Sequence, residues 1–203
     1  MKEEEGIFGI EGLREVANIG CGHAATALSG LINRKVMMSV PEVFIGDMGT
    51  VFEKVAGKTD EEAIGILLYF LGDLTGLTLL LLSKEEAISL LSLLIRERVS
   101  EINEQEESAL KEVGNIITGA YMTALSDFLG LLALPTVPFL KNDNIRAILS
   151  DAFLQIEAER GFALCIKSIL KIENGLEIKI AFFFLPDEHA IGIIQEKLKS
   201  FFE

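Results

Sequence analysis

Tryptophan is absent from the chain, and tyrosine, cysteine and histidine occur only twice each. The cysteines, Cys21 and Cys165, form no CxxC pair, and with His23 and His189 they offer none of the spacings of a metal site. Both thiols are expected to be reduced and buried. Proline is scarce as well, four in 203 residues, while half of the residues are hydrophobic. Long disorder is therefore excluded and a packed core expected. Basic residues are few, 18 against 31 acids, which leaves a net charge of −13. That balance excludes nucleic acid as a partner, because such binding rests on neutralised phosphates. It suits a cytoplasmic protein that meets neutral or basic protein surfaces. Long apolar runs are missing too. The most apolar stretch, 64–82, is broken by Asp73 and by Gly65, Gly72 and Gly76. It reads as two buried strands around a turn, and no membrane span is expected. The acidic opening residues carry no secretory signal.

What the chain does have is a repeat. Residues 13–29 and 110–126 read alike at an offset of 97 residues, as from Asn18 to Asn115. Leu13/Leu110, Glu15/Glu112, Val16/Val113, Ile19/Ile116, Gly22/Gly119, Thr26/Thr123 and Ser29/Ser126 coincide, as do Pro41/Pro138. A second match joins 82–91 to 185–194 at an offset of 103, as from Leu82 to Leu185. An internal repeat dictates architecture before any single motif does. Each half, about 7–100 and 104–203, reads helix, loop, strands, helix, with an acidic boundary at 100–107. One half alone would expose the inner face of its sheet. The expectation is a single α+β domain with internal pseudo-twofold symmetry, its two related long helices packed against a shared β-sheet.

Local signals fill in the elements. Apolar or small residues at 13, 16, 17, 20, 24, 27, 28 and 31 follow helical spacing. Strands are expected at 36–40, 43–45, 50–56, 65–71 and 76–82. Ser83 followed by Glu86 is a capping box that opens a helix. In the second half a helix is expected from about Glu107 and another over Asp143–Glu157. A hairpin should pair 162–172 with 176–185 around Glu173-Asn174-Gly175, and Asp187 should cap the last helix.

The informative residues are polar ones that the repeat keeps. Positions 11, 15, 18 and 22 advance by four, three and four, so they share one helix face. They carry Glu11, Glu15, Asn18 and Gly22, and the second copy carries Ser108, Glu112, Asn115 and Gly119. Asparagine is a poor mid-helix residue because its side chain competes for the backbone. Glycine costs about 1 kcal/mol against alanine there. A neutral surface would not keep both costs twice. The glycine leaves the amide unobstructed beside a carboxylate, a shape suited to entering another protein's cleft.

Asparagine cannot act as a general acid or base, and no nucleophile–His–acid set is present. Its amide can both donate and accept hydrogen bonds, and so can position a water. That makes chemical sense if the partner supplies the metal and the phosphoryl group. Gly20-Cys21-Gly22-His23 is a poor nucleotide loop, because its glycines fall inside a helical pattern.

The spacing Glu-x2-Asn-x22-Pro, met by Glu15, Asn18 and Pro41 and again by Glu112, Asn115 and Pro138, resembles the signature of the CheC/CheX/FliY family of chemotaxis phosphatases. Two copies in one chain resemble its CheC-type members. The resemblance implies dephosphorylation of the phospho-aspartate of the response regulator CheY. Asn18 and Asn115 would orient the attacking water, and Glu15 and Glu112 would pair with a regulator lysine. Glu11, Gly22, Ser108 and Gly119 would line the contact. No cofactor of the chain's own is implied; Mg2+ would be supplied by the regulator. Pro41 and Pro138 would close the turn before a strand. Glu11 stands where the family has Asp or Ser, and His23 where it often has a smaller polar residue, so the second copy is the more orthodox. The resemblance also implies binding of the receptor deamidase CheD through Asp143, Ile145, Ala147 and Ile148, by a chain acting as a monomer. The competing reading is a weakly catalytic adaptor that docks CheD or the flagellar switch.

Overall fold

The computed structural model describes residues 2–56, 61–156 and 162–200. Its element order is α1 (Lys2–Ile32), β1 (Val36–Asp47), α2 (Met48–Ala56), β2 (Glu62–Gly72), β3 (Gly76–Ser83), α3 (Lys84–Ile95), α4 (Glu104–Leu129), β4 (Ala133–Pro135), β5 (Phe139–Asn144), α5 (Ile145–Leu154), β6 (Phe162–Ile172), β7 (Glu177–Pro186) and α6 (Glu188–Ser200). The pairings are all antiparallel, in the order β1-β6-β7-β3-β2, with β4 and β5 sharing the far edge of β2.

That order is a palindrome of the two halves. The opening strand of each half pairs with the hairpin of the other: β1 lies on β6, and its counterpart, split into β4 and β5, lies on β2. The halves meet where β3 pairs β7. At the offset of 103, Leu79 matches Phe182 and Leu80 matches Phe183, and the pairs Leu79↔Phe183 and Leu80↔Phe182 therefore exchange. The pseudo-twofold passes between them. The pairs β1–β6, β3–β7, β2–β4 and β2–β5 all join one half to the other, so neither half can be lifted out without stripping four strand pairings, and the chain folds as one domain.

Helices cover both sheet faces. On one side α1, α3 and α4 pack over Ile64, Ile66, Leu68, Leu80, Leu82, Phe182 and Phe184. On the other, α2 and α5 pack over Leu67, Leu77, Leu79, Phe183 and Leu185. Burial on both faces explains why β3 is buried at every position from Gly76 to Leu82 and shows no alternation. Three signals hold in detail. Ser83 and Glu86 form the capping box of α3. The backbone N–H of Ala190 donates to Asp187 at 2.8 Å. The hairpin β6–β7 turns at Gly175, where φ is +87° and only glycine is comfortable.

Four local expectations change. Residues 50–56 form helix α2, not a strand: the Asp47 carboxylate accepts from the Thr50 N–H at 2.9 Å, and Val51 is buried in the second core. The segments 36–40 and 43–45 are one strand, β1, with a register shift between Ser39 and Glu42. Pro41 lies in that shift, inside a strand, whereas Pro138 does stand just before β5. Proline cannot donate to a ladder, and an irregularity is where a strand tolerates it. Asp143 belongs to β5 and Asn144 caps α5, accepting from Ala147 N–H at 2.8 Å, so that helix begins at Ile145; Glu157 lies outside the described residues. Finally, Ala27 and Leu31 are exposed, so among the described residues the buried stripe of α1 is Val16, Ala17, Gly20, Cys21, Ala24, Leu28 and Ile32.

Candidate active site

The long helices α1 and α4 touch each other across the first core, and glycine permits the approach. A Cβ on Gly20 would lie 2.7 Å from a Tyr121 ring carbon and 3.1 Å from the Tyr121 Cα. One on Gly114 would lie 2.5 Å from Ile66 Cγ2. Beneath the crossing, the Tyr121 hydroxyl meets Ser168 Oγ at 2.6 Å and Cys21 Sγ at 3.1 Å, which ties α1, α4 and β6 together. Burial pushes the Tyr121 phenol far above its usual range. The Cys21 thiol is also raised, by burial first, against hydrogen bonds from Tyr121 and Ser168 that lower it. These groups stay neutral and hold the helices in register.

The opposite faces of both helices are open. Glu11, Glu15, Asn18 and Gly22 on α1 are exposed, as are Ser108, Glu112 and Asn115 on α4, with Gly119 half-buried. Among the described residues, no hydrogen bond engages the amide of Asn18 or Asn115, and no ion pair engages Glu15 or Glu112. The Ser108 hydroxyl donates to the Glu104 carbonyl at 2.9 Å, a turn back on its own helix.

The glycines divide into two kinds. Gly20 and Gly114 are required by packing, as described. A Cβ on Gly22 or Gly119 would meet nothing within 4 Å. Their own chain makes no demand for glycine, although each costs helix stability. The surface one turn beyond each asparagine is therefore left open. Residues 20–23 lie within α1, which removes any nucleotide-loop reading.

The repeat also keeps a basic residue immediately before each glutamate, Arg14 and Lys111. A comparison of identical residues passes over this pair, since only the charge is shared. Arg14 is exposed and makes no ion pair among the described residues, whereas Lys111 reaches Glu107 at 3.4 Å.

Away from these helices, Asp143 is exposed, and Ile145 and Ala147 are half-buried. Ile148 corrects the sequence reading. It is wholly buried, and its Cγ2 fills the space above Gly65, 2.6 Å from where a Cβ would stand. It packs α5 on the sheet and offers no surface to a partner. Both thiols are buried and free. Among the described residues, no group of three His, Cys, Asp or Glu side chains could hold a metal ion. No described helix is long and apolar enough to cross a membrane.

Comparison with known proteins agrees with this geometry. A solved structure of FliY from Thermotoga maritima superposes with a TM-score of 0.73 at 22% identity, covering 98% of each chain. The CheX–CheY–BeF3–Mg2+ complex of Borrelia burgdorferi matches with a TM-score of 0.50 at 17% identity, over 88% of this chain and 97% of the other. These likenesses establish the fold. Sequence goes further: the CheY-P phosphatase CheC of Bacillus subtilis (strain 168) is 33% identical over 193 residues, 92% of this chain and 90% of that protein. The model of the CheC-like family matches residues 13–45 and 106–141, which hold both Glu/Asn helix faces and both prolines. On that evidence the chain belongs to the CheC-like family.

Proposed function

We propose that this chain is a phospho-aspartate phosphatase that acts on phosphorylated CheY through two sites, Glu15/Asn18 and Glu112/Asn115. The observation that carries this reading is the pair of exposed, unengaged amides, each with open space one turn beyond it. A primary amide held on a rigid helix can accept one proton of a water and donate to a phosphoryl oxygen. Such placement lowers the entropic cost of attack without proton transfer by the asparagine itself. Each glutamate stands three residues before its asparagine, on the same face, and would meet a lysine beside the partner's phosphorylated aspartate.

Magnesium would come with the partner. Among the described residues this chain presents helix faces and no ligand cluster, and in this reading its own residues orient, dock and exclude water. Monomeric action fits a pseudo-twofold already closed within one chain. Exposed Asp143, with the exposed parts of Ile145 and Ala147, supports a second, non-catalytic docking surface for CheD. Both helix faces are open at once, which favours catalysis over an adaptor role alone.

The test is phosphate release from CheY charged with acetyl phosphate and magnesium. Added protein should speed release in proportion to its concentration. A rate no faster than CheY alone, with intact CheY binding, would leave the adaptor reading in its place.

A further inference from the structure

Resting on that phosphatase reading, we infer that the basic residue before each glutamate is an affinity-determining contact, free at the first site and restrained at the second. Arg14 and Lys111 occupy the same place in the two copies. Each lies four residues before its asparagine, on the flank of the polar strip, where (i, i+4) side chains are neighbours. The charge survives in both copies although the side chain differs.

The surroundings differ. Lys111 pairs with Glu107, one turn back, at 3.4 Å. The residue that corresponds to Glu107 in the first copy is Ile10, which carries no charge. Arg14 makes no ion pair among the described residues, with Glu11 or any other acid. A planar, permanently charged fork therefore stands exposed beside Glu15 in a chain of net charge −13.

Helix geometry decides what that fork meets. Side chains lean toward the helix N-terminus. The Arg14 guanidinium is carried toward Glu11 and away from the Asn18 amide. It meets the rim of the docked regulator and not the reacting phosphoryl group. The first site thus presents Arg14 and Glu15 side by side, a cation and an anion. The complementary surface is a carboxylate on the regulator next to the lysine that Glu15 meets. Such a pair steers encounter and holds register, so it acts on affinity more than on turnover. At the second site Lys111 must leave Glu107 first. A half-exposed pair of this kind is worth at most about 1 kcal/mol, so the handicap is about two- to fivefold in affinity. Sequence made the second copy the more orthodox; the charge environment makes the first the tighter.

The experiment isolates each site. Asn115→Ala leaves the first, and Asn18→Ala leaves the second. Phosphate release is measured against CheY-P concentration, and Kd for beryllofluoride-charged CheY by titration. With the first site alone, Arg14→Gln should raise KM and Kd about three- to tenfold with kcat within about twofold. Arg14→Lys should restore part of the loss, and 0.5 M NaCl should shrink the difference. With the second site alone, Glu107→Gln should lower KM and Kd about two- to fivefold; with the first alone it should do nothing. Unchanged KM and Kd in Arg14→Gln, a fall in kcat alone, or no gain from Glu107→Gln would overturn the inference. Release by the wild-type protein no faster than that of CheY-P alone would instead sink the phosphatase reading, and the titration would still decide the role of Arg14.

Discussion

Replacing Gly22 and Gly119 by alanine should make the protein more stable and less active. Both positions lie inside helices, neither has a positive φ, and an added Cβ would meet nothing within 4 Å. Alanine in a helix interior is favoured over glycine by about 1 kcal/mol, and no clash subtracts from it here. The sites are on different helices with no shared partner, so the gains should add to about 1.5–2 kcal/mol. For a chain of this size that raises Tm by roughly 3–8 °C. The same methyl groups would stand one turn beyond Asn18 and Asn115, in the space proposed for the partner. The substituted protein should therefore release phosphate from CheY-P at least tenfold more slowly, about 1.4 kcal/mol of lost transition-state binding. Urea or thermal unfolding reads the first effect and phosphate release the second. Unchanged or lowered stability would refute the helical, open setting of these glycines. A stabilised double variant with full turnover would refute the idea that the open space serves docking.

Gly20→Ala should do the opposite to stability, costing about 1–3 kcal/mol in urea unfolding, because the new methyl meets the Tyr121 backbone and overpacks the helix crossing. Glu112→Lys should weaken CheY-P binding at the second site by titration, and more than Glu112→Gln does, since it sets a cation against the regulator's lysine; tighter binding would contradict the docking scheme. Burial pushes the Cys165 thiol up from 9.0 to about 12. The unfolded thiol ionises first, so its contribution is intact below pH 9 and is lost as pH rises toward 12, at about 1.4 kcal/mol per pH unit. Cys165→Ala should flatten that alkaline decline, measured by unfolding at pH 8 and pH 10.

Much of this was legible in sequence because the repeat compares the chain with itself. A Glu/Asn pair in one helix is ambiguous; the same pair 97 residues on, with the same glycine, marks both as candidates. The shared sheet was also legible, since half of the molecule could not bury its own strands. What sequence could not supply was which apolar residue faces which layer. Residues 50–56 have strand-like composition, but Asp47 caps them into α2 and the second sheet face needs a helix there. Ile148 looks available at the start of an amphipathic helix, yet it fills the space over Gly65, a contact 83 residues away along the chain. The two classes of glycine also read alike in sequence. Only the packing shows that Gly20 and Gly114 admit neighbours of their own chain while Gly22 and Gly119 face open space. The Arg14/Lys111 match was present in the repeat, but its meaning depends on Glu107, which occurs in one copy alone.

The proposed positioning of the attacking water rests on the two surface amides of Asn18 and Asn115. It is tested most directly by single-turnover phosphate loss from CheY-P with saturating wild-type protein, Asn18→Ala, Asn115→Ala and the double variant. Exposed substitutions of this kind should leave stability within about 0.5 kcal/mol, so folding does not confuse the result. Each single variant should show partial loss, and the double variant a rate no faster than that of CheY-P alone. A folded double variant that still dephosphorylates CheY-P at the wild-type rate would show that neither asparagine positions the water.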